Sequence, residues 1–112
     1  MLTPEEVAEK HLTAVKGGDP SQMAEDYADD AVLVRGNDVY AGKEEIFEYF
    51  NGVPERLGSG VIEFLKLEVN ETTAYFSWKI TDDQKIICGK DMLTIKDGQI
   101  QHQEVTLLTE DF

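Results

Sequence analysis

Hydrophobic residues recur at helical spacing in the first part of the chain. Val7, His11 and Val15 fall on one stripe of a helix. Residues 3–6 before them read TPEE, which is a capping box with proline at the first helical position. The pattern predicts a helix over this segment that ends at the two glycines of residues 17–18.

Two shorter helices are predicted after the first. Asp19 and Pro20 repeat the start signal, so a second helix should begin there. The residues expected on its buried side are Met23, Ala24 and Tyr27. A third helix is expected over residues 43–50. The residues expected on its buried side are Ile46, Phe47 and Phe50.

Strand patterns fill the rest of the sequence. Residues 31–40 predict a small hairpin between the second and third helices, with a turn at residues 36–38. Beyond Gly60 the hydrophobic period changes to two, which predicts an antiparallel meander. The expected strands cover residues 61–69, 72–80, 85–96 and 99–109. Helices followed by strands indicate an α+β fold, and we expect a single domain over residues 1–112.

Charge and cysteine content narrow the range of partners. The chain carries 23 acidic and 10 basic residues, for a formal charge of −13. Such a charge repels phosphate backbones and anionic lipids, so neither nucleic acid nor a membrane is an expected partner. The sequence shows no signal peptide and no run of about 18 apolar residues. Cys88 has no second cysteine to pair with, and we expect a cytoplasmic protein.

Several short motifs, spread over nearly the whole chain, resemble the nuclear transport factor 2-like superfamily, in particular its SnoaL-like and ketosteroid-isomerase-like members. The motifs are Gly18-Asp19, Tyr27-Ala28-Asp29-Asp30-Ala31-Val32, Gly42, Gly89-Lys90-Asp91-Met92-Leu93 and Asp97-Gly98-Gln99-Ile100. The resemblance implies a cone-shaped, cystatin-like roll of about three N-terminal helices packed on a strongly curved antiparallel sheet. It also implies a pocket between the layers for a small, largely apolar molecule, and a homodimer packed through the outer face of the sheet.

Asp91 is the first candidate for a catalytic residue. It alternates with Gly89 and Leu93, so its carboxyl lies on an otherwise apolar strand face. Burial there raises the pKa of a carboxyl, which suits a general acid or a neutral hydrogen-bond donor. By the resemblance, Asp91 matches the aspartic acid that donates a hydrogen bond to the oxyanion in ketosteroid isomerases. The alternative is a structural aspartate bonded to a neighbouring side chain.

His11 is the second candidate, because it lies on the buried stripe of the first helix and exchanges protons near neutral pH. By the resemblance it matches the tyrosine that accompanies the aspartic acid in the isomerases. A core histidine with one satisfied nitrogen is the alternative. The two interpretations differ in whether His11 meets Asp91.

Arg35 stands where the isomerases carry their carboxylate base, by the resemblance. Arginine does not accept a proton at neutral pH, so steroid-type isomerisation is not expected unless Asp38 takes that role. Arg35 could instead hold a ligand carboxylate or pair with acidic neighbours. The other residues expected to contact a ligand are Gln103, Tyr27 and Leu93.

Three functions remain open from the sequence. The first is a cofactor-independent isomerase, cyclase or dehydratase in which Asp91 and His11 act as acid and base on an enolisable carbonyl. The second is a non-catalytic small-ligand binder, and the third is an interaction module that dimerises through the sheet around Trp78. Neither a cofactor nor a metal site is expected, because the known motifs for them are missing from the sequence.

Overall fold

Three helices and six strands make up the computed structural model, which describes residues 2–52, 60–81 and 86–108. The helices are α1 (Pro4–Gly17), α2 (Pro20–Glu25) and α3 (Lys43–Asn51). The strands are β1 (Tyr27–Arg35), β2 (Asp38–Ala41), β3 (Val61–Asn70), β4 (Thr73–Thr81), β5 (Ile86–Lys96) and β6 (Gln99–Leu107). The helices pack against one sheet, which confirms the α+β prediction.

The start signals read from the sequence form as predicted in the first two helices. The side chain of Thr3 accepts a hydrogen bond from the backbone N–H of Glu6, and the carboxylate of Glu6 accepts one from the backbone N–H of Thr3, which completes a capping box. Asp19 caps α2 by accepting from the amide of Ser21. Gly18 ends α1 with a left-handed backbone, φ 76°, that favours glycine.

The six strands form one open sheet in the order β2-β1-β6-β5-β4-β3. Strands β3 to β6 are a continuous antiparallel meander, and the turn at Asp97 and Gly98 joins the last pair. β1 pairs in parallel with β6 and antiparallel with β2. In the described part of the chain, no helix is long and apolar enough to cross a membrane.

The inner face of the sheet forms the core together with the helices. Strict alternation along β4 places four side chains inward, and they are 0 to 5% exposed. These residues are Ala74, Phe76, Trp78 and Ile80. Trp78 therefore faces the interior. The prediction that the sheet dimerises around Trp78 was wrong in this respect, because Trp78 does not lie on the outer face of the sheet.

Two local predictions were wrong. Phe47 is exposed and Tyr49 is buried, because Ile46, Tyr49 and Phe50 share the helical stripe and Phe47 lies about 100° from Ile46. Tyr27 belongs to β1 rather than to the second helix, which ends at Glu25. Its side chain is nevertheless fully buried, as expected.

Candidate functional site

Asp91 lies on the inner face of β5 and is 9% exposed. Both of its oxygens accept hydrogen bonds from neighbouring strands. Trp78 Nε1 on β4 donates to Oδ1 at 2.9 Å, and Gln103 Nε2 on β6 donates to Oδ2 at 2.7 Å. Strand pairing places these side chains together, since Asp91 lies between Phe76 and Val105 in the register.

Gly89 allows Trp78 to reach the carboxyl. The two residues are partners across β4 and β5, and a Cβ at position 89 would lie 2.2 Å from Cζ2 of the indole. No real side chain tolerates that separation. Glycine is therefore required by the indole that lies against β5, rather than by a turn.

Burial raises the pKa of Asp91 from 3.8 to about 6, because the apolar surroundings disfavour the charged carboxylate. The hydrogen bonds from Trp78 and Gln103 and the nearby His11 lower the pKa, but burial outweighs them. A carboxyl with this pKa both donates and accepts a proton near neutral pH. Asp91 is thus chemically suited to acid–base work.

A chain of hydrogen bonds connects Asp91 to His11. Gln103 accepts a hydrogen bond from the hydroxyl of Tyr27 and donates through its amide nitrogen to Asp91. The same hydroxyl lies 3.4 Å from His11 Nε2. The two predicted catalytic residues are therefore linked through Tyr27 and Gln103.

Asp26 extends this chain on the other side of His11. Its Oδ2 lies 3.6 Å from His11 Nδ1, and its Oδ1 lies 3.2 Å from the ammonium of Lys10. The side chain of Asp26 is 2% exposed, whereas that of Lys10 is 49% exposed. We use the name polar cluster for His11, Asp26, Tyr27, Asp91 and Gln103, which are all buried.

Asp26 is the one member of the polar cluster that the sequence did not suggest. It follows Glu25 in an acidic stretch, and such runs are usually solvated. The available signal was its position directly before Tyr27, at the junction of α2 and β1. There the backbone carbonyl of Asp26 accepts from the amide of Ile100, which holds this junction against β6.

The polar cluster borders a cavity of about 60 Å³ between the helices and the sheet. A space of this size holds a few water molecules or the reacting end of a small ligand. Three cluster members, His11, Asp91 and Gln103, contribute to its wall. The rest of the wall is mostly apolar and aromatic, formed by Val15, Tyr49, Phe50, Ile62, Phe64, Phe76, Trp78, Ile80 and Val105.

The other residues predicted to bind a ligand lie elsewhere. Tyr27 is behind the cavity wall and reaches it through Gln103, and Leu93 is fully buried in the core. Arg35 is half-buried at the end of β1, where it borders an outer groove of about 740 Å³ between the β1–β2 hairpin and β6. Asp38 borders the same groove, so neither residue belongs to the wall around Asp91.

Metal-ligating side chains are dispersed over the described ranges. Within them, no group of three or more histidine, cysteine, aspartate or glutamate side chains is arranged to hold a metal ion.

Solved structures share this arrangement of helices and curved sheet. A proposed polyketide cyclase of Sinorhizobium meliloti is 22% identical, with a TM-score of 0.77 over 89% of this chain and 93% of that one. A proposed ketosteroid isomerase of Kribbella flavida is 16% identical, with a TM-score of 0.83 over 97% and 79%. An NTF2-like protein of unknown function from Cytophaga hutchinsonii is 12% identical, with a TM-score of 0.75 over 96% and 91%. Identities this low establish the fold alone, which is cystatin-like and NTF2-like.

The family model of the SnoaL-like domain matches residues 8–103. The chain belongs to the SnoaL-like domain family, as the sequence motifs indicated. A comparison with the curated proteins gave no significant match.

Proposed function

We propose that this protein is a small-molecule enzyme that performs cofactor-independent acid–base chemistry, of the isomerase, cyclase or dehydratase type, with Asp91 as the catalytic residue. The observation that carries the proposal is the buried carboxyl at the cavity wall, whose pKa is raised to about 6. Fold similarity to a proposed polyketide cyclase and a proposed ketosteroid isomerase agrees with it, as an analogy only.

The substrate class follows from the cavity. Its wall is mainly apolar, and its volume of about 60 Å³ admits only a few heavy atoms. A small enolisable ketone, or the ketone end of a larger molecule, fits these limits. Asp91 as a carboxylate takes a proton from the carbon next to the carbonyl and, once protonated, returns it.

His11 has a supporting part in this proposal. Its Nε2 faces Tyr27 and its Nδ1 faces Asp26, so neither nitrogen is directed at a substrate in the cavity. Steroid-type isomerisation with a base at position 35 is not part of the proposal, since Arg35 borders the outer groove. The acid and base roles therefore fall to the single carboxyl of Asp91.

The test is hydrogen–deuterium exchange at the α-carbons of acetone and cyclopentanone in D₂O, followed by proton NMR. We expect the wild-type protein to accelerate exchange, and Asp91→Asn to reduce the acceleration by roughly 10²-fold or more. Asp38→Asn makes the same chemical change at an exposed position and should stay within about twofold. Equal exchange rates for wild type and Asp91→Asn would reject the proposal. A loss of exchange seen only in Asp38→Asn would instead identify Asp38, in the β1–β2 hairpin, as the base.

A second candidate is a non-catalytic binder of a small apolar ligand. It is favoured by the two hydrogen bonds that already occupy the oxygens of Asp91. Saturable binding of cyclopentanone without exchange, measured by ligand-observed NMR, would support this candidate over the enzyme. A cytoplasmic location and a homodimer through the outer sheet face stay proposals under both candidates. Exposed apolar residues on the strands, Val61, Leu65, Tyr75 and Ile86, support the dimer.

A further inference from the structure

Two buried atoms of the polar cluster oppose each other without a hydrogen bond. They are Nδ1 of His11 and Oδ2 of Asp26, which lie 3.6 Å apart. An unpaired polar atom in the interior is unfavourable, because it has lost its hydrogen bonds to water. A proton on Nδ1, directed at the carboxylate of Asp26, satisfies both atoms at once.

The proton on Nδ1 constrains the rest of the polar cluster. Nε2 of His11 either carries a second proton, which it donates to Tyr27, or accepts the proton of the Tyr27 hydroxyl. In the observed arrangement, Tyr27 donates to Gln103 and Gln103 donates to Asp91. The hydroxyl proton is then occupied, so Nε2 must donate. In this arrangement His11 is written as a cation and Asp91 as a carboxylate.

A second arrangement also gives each of these groups a hydrogen-bond partner. Asp91 carries the proton and donates to Gln103, whose amide is turned so that its oxygen faces Asp91 and its nitrogen donates to Tyr27. The hydroxyl of Tyr27 then donates to Nε2 of His11, while Nδ1 keeps its proton toward Asp26. Both arrangements contain the same number of protons and the same total charge. They differ in whether one proton belongs to His11 or to Asp91, and in the direction of each hydrogen bond between them.

We propose that His11 and Asp91 share this one proton. When the proton moves from His11 to Asp91, the Gln103 amide turns and the hydrogen bonds through Tyr27 reverse, so the polar cluster is a proton relay between His11 and the cavity wall. Its outer end is His11, whose Nδ1 faces Asp26, and Asp26 in turn contacts the half-exposed ammonium of Lys10. Asp91 at the cavity wall is its inner end. The relay does not depend on the proposed enzymatic function, since a binder with the same side chains would contain it.

The surroundings of the relay add few other charges in the described structure. Glu25 lies 3.8 Å from Lys10, beyond the outer end. Tyr49 lies beside Phe50, which packs on the rings of His11 and Tyr27. Trp78 donates to the other oxygen of Asp91 in both arrangements. The aromatic rings shield the central bonds from bulk solvent, which strengthens the coupling along them.

The relay can be tested by NMR on protein labelled with ¹³C at aspartate carboxyls and ¹⁵N at histidine rings. Two groups that share a proton titrate together in two macroscopic steps. We expect the Asp91 carboxyl signal to change in two steps, about one pH unit or more apart, and the His11 ring signals to change over the same two steps. A single step for Asp91, with His11 changing elsewhere, would overturn the proposal.

Tyr27→Phe separates a relay from simple attraction between charges. It removes the central hydroxyl and leaves the bonds of Asp91 to Trp78 and Gln103 in place. We expect both residues to change in one independent step each. Tyr40→Phe removes a hydroxyl outside the polar cluster and should keep the two steps. If Tyr27→Phe also keeps them, the coupling passes through space and the relay is wrong.

Asp26→Asn is a second variant, for which the relay predicts the direction in which the shared proton moves. Loss of the anion facing Nδ1 removes the partner of the imidazolium, so the shared proton moves from His11 to Asp91. Between the two steps, the ring nitrogens should shift toward the neutral form and the Asp91 carboxyl toward the protonated form. Unchanged signals for both residues would contradict the relay, even if the protein stays folded.

Discussion

The inner face of β5 and β6 and the outer end of β1 each hold a charged residue, in opposite surroundings. Asp91 is almost completely buried and accepts two hydrogen bonds at a small cavity. Arg35 is half-buried beside a wide groove that is open to solvent. Water screens a charge in the groove, whereas in the interior the electrostatic energy of each charge and each hydrogen bond is larger. The inner face is therefore the better place for proton chemistry, whereas the groove favours weak, salt-sensitive contacts.

The largest expected effect concerns stability against pH. The raised pKa of Asp91 means that the folded protein binds this proton more tightly than the unfolded chain. The resulting stabilisation is fully present below about pH 4 and is lost as the pH rises through about 6. Relative to wild type, Asp91→Asn should therefore gain about 3 kcal/mol in the free energy of unfolding between about pH 4 and 7.

Urea denaturation of both proteins at a series of pH values measures this difference. Changes that affect all other carboxyls cancel in the comparison. Asp38→Asn is the control for the same substitution at an exposed position. A difference between wild type and Asp91→Asn that does not vary with pH would mean that the carboxyl is not held in an apolar site.

The second effect tests how the inner face is built. Gly89→Ala would place a methyl group 2.2 Å from the Trp78 ring, so the indole must move and release Asp91. We expect a loss of about 2 kcal/mol in the free energy of unfolding, as for other overpacked cores. Gly17→Ala is the matched control, because nothing lies within 4 Å of a Cβ there. Equal stability of the two variants in urea would show that Trp78 adapts without strain.

The smallest effect is expected in the outer groove. Arg35→Gln removes a charge that lies outside the cavity wall. The free energy of unfolding should change by about 0.5 kcal/mol or less, and the pKa of Asp91 should stay at about 6. The Asp91 carboxyl signal in NMR measures the second quantity. A clear shift in the pKa of Asp91 would mean that Arg35 and Asp91 interact electrostatically despite lying in different regions.

Much of the architecture could be predicted from the sequence because its signals are local. Capping residues set the starts of α1 and α2, and strict alternation set the faces of β4 and β5. The burial of Asp91 followed from the same alternation. These features depend on neighbours within a few positions, which one sequence displays directly. The prediction of a single domain stays a prediction.

The contacts of the site depend on long-range pairing, and the sequence does not display it. The bond from Trp78 to Asp91 requires the β4–β5 register, and the burial of Asp26 requires the junction with β6. Gln101 shows the limit even within a strand. An irregularity in the pairing of β5 with β6 shifts the register between Ile100 and His102, so Gln101 is only half-buried although simple alternation would place it on the buried face of Gln103.

The parallel pairing of β1 with β6 has a consequence for the order of folding. On the β6 side of β1, the pairing partner of Leu33 is Gln103, and most of the intervening chain forms the hairpin, α3 and the meander. Contacts between such distant segments close late and slow the rate-limiting step. During synthesis, β1 emerges early and keeps an unpaired edge until β6 leaves the ribosome. Pairing of β6 thus completes the described sheet and brings Gln103 next to Tyr27 and Asp91. A nascent chain therefore forms the polar cluster in the same step that completes this sheet.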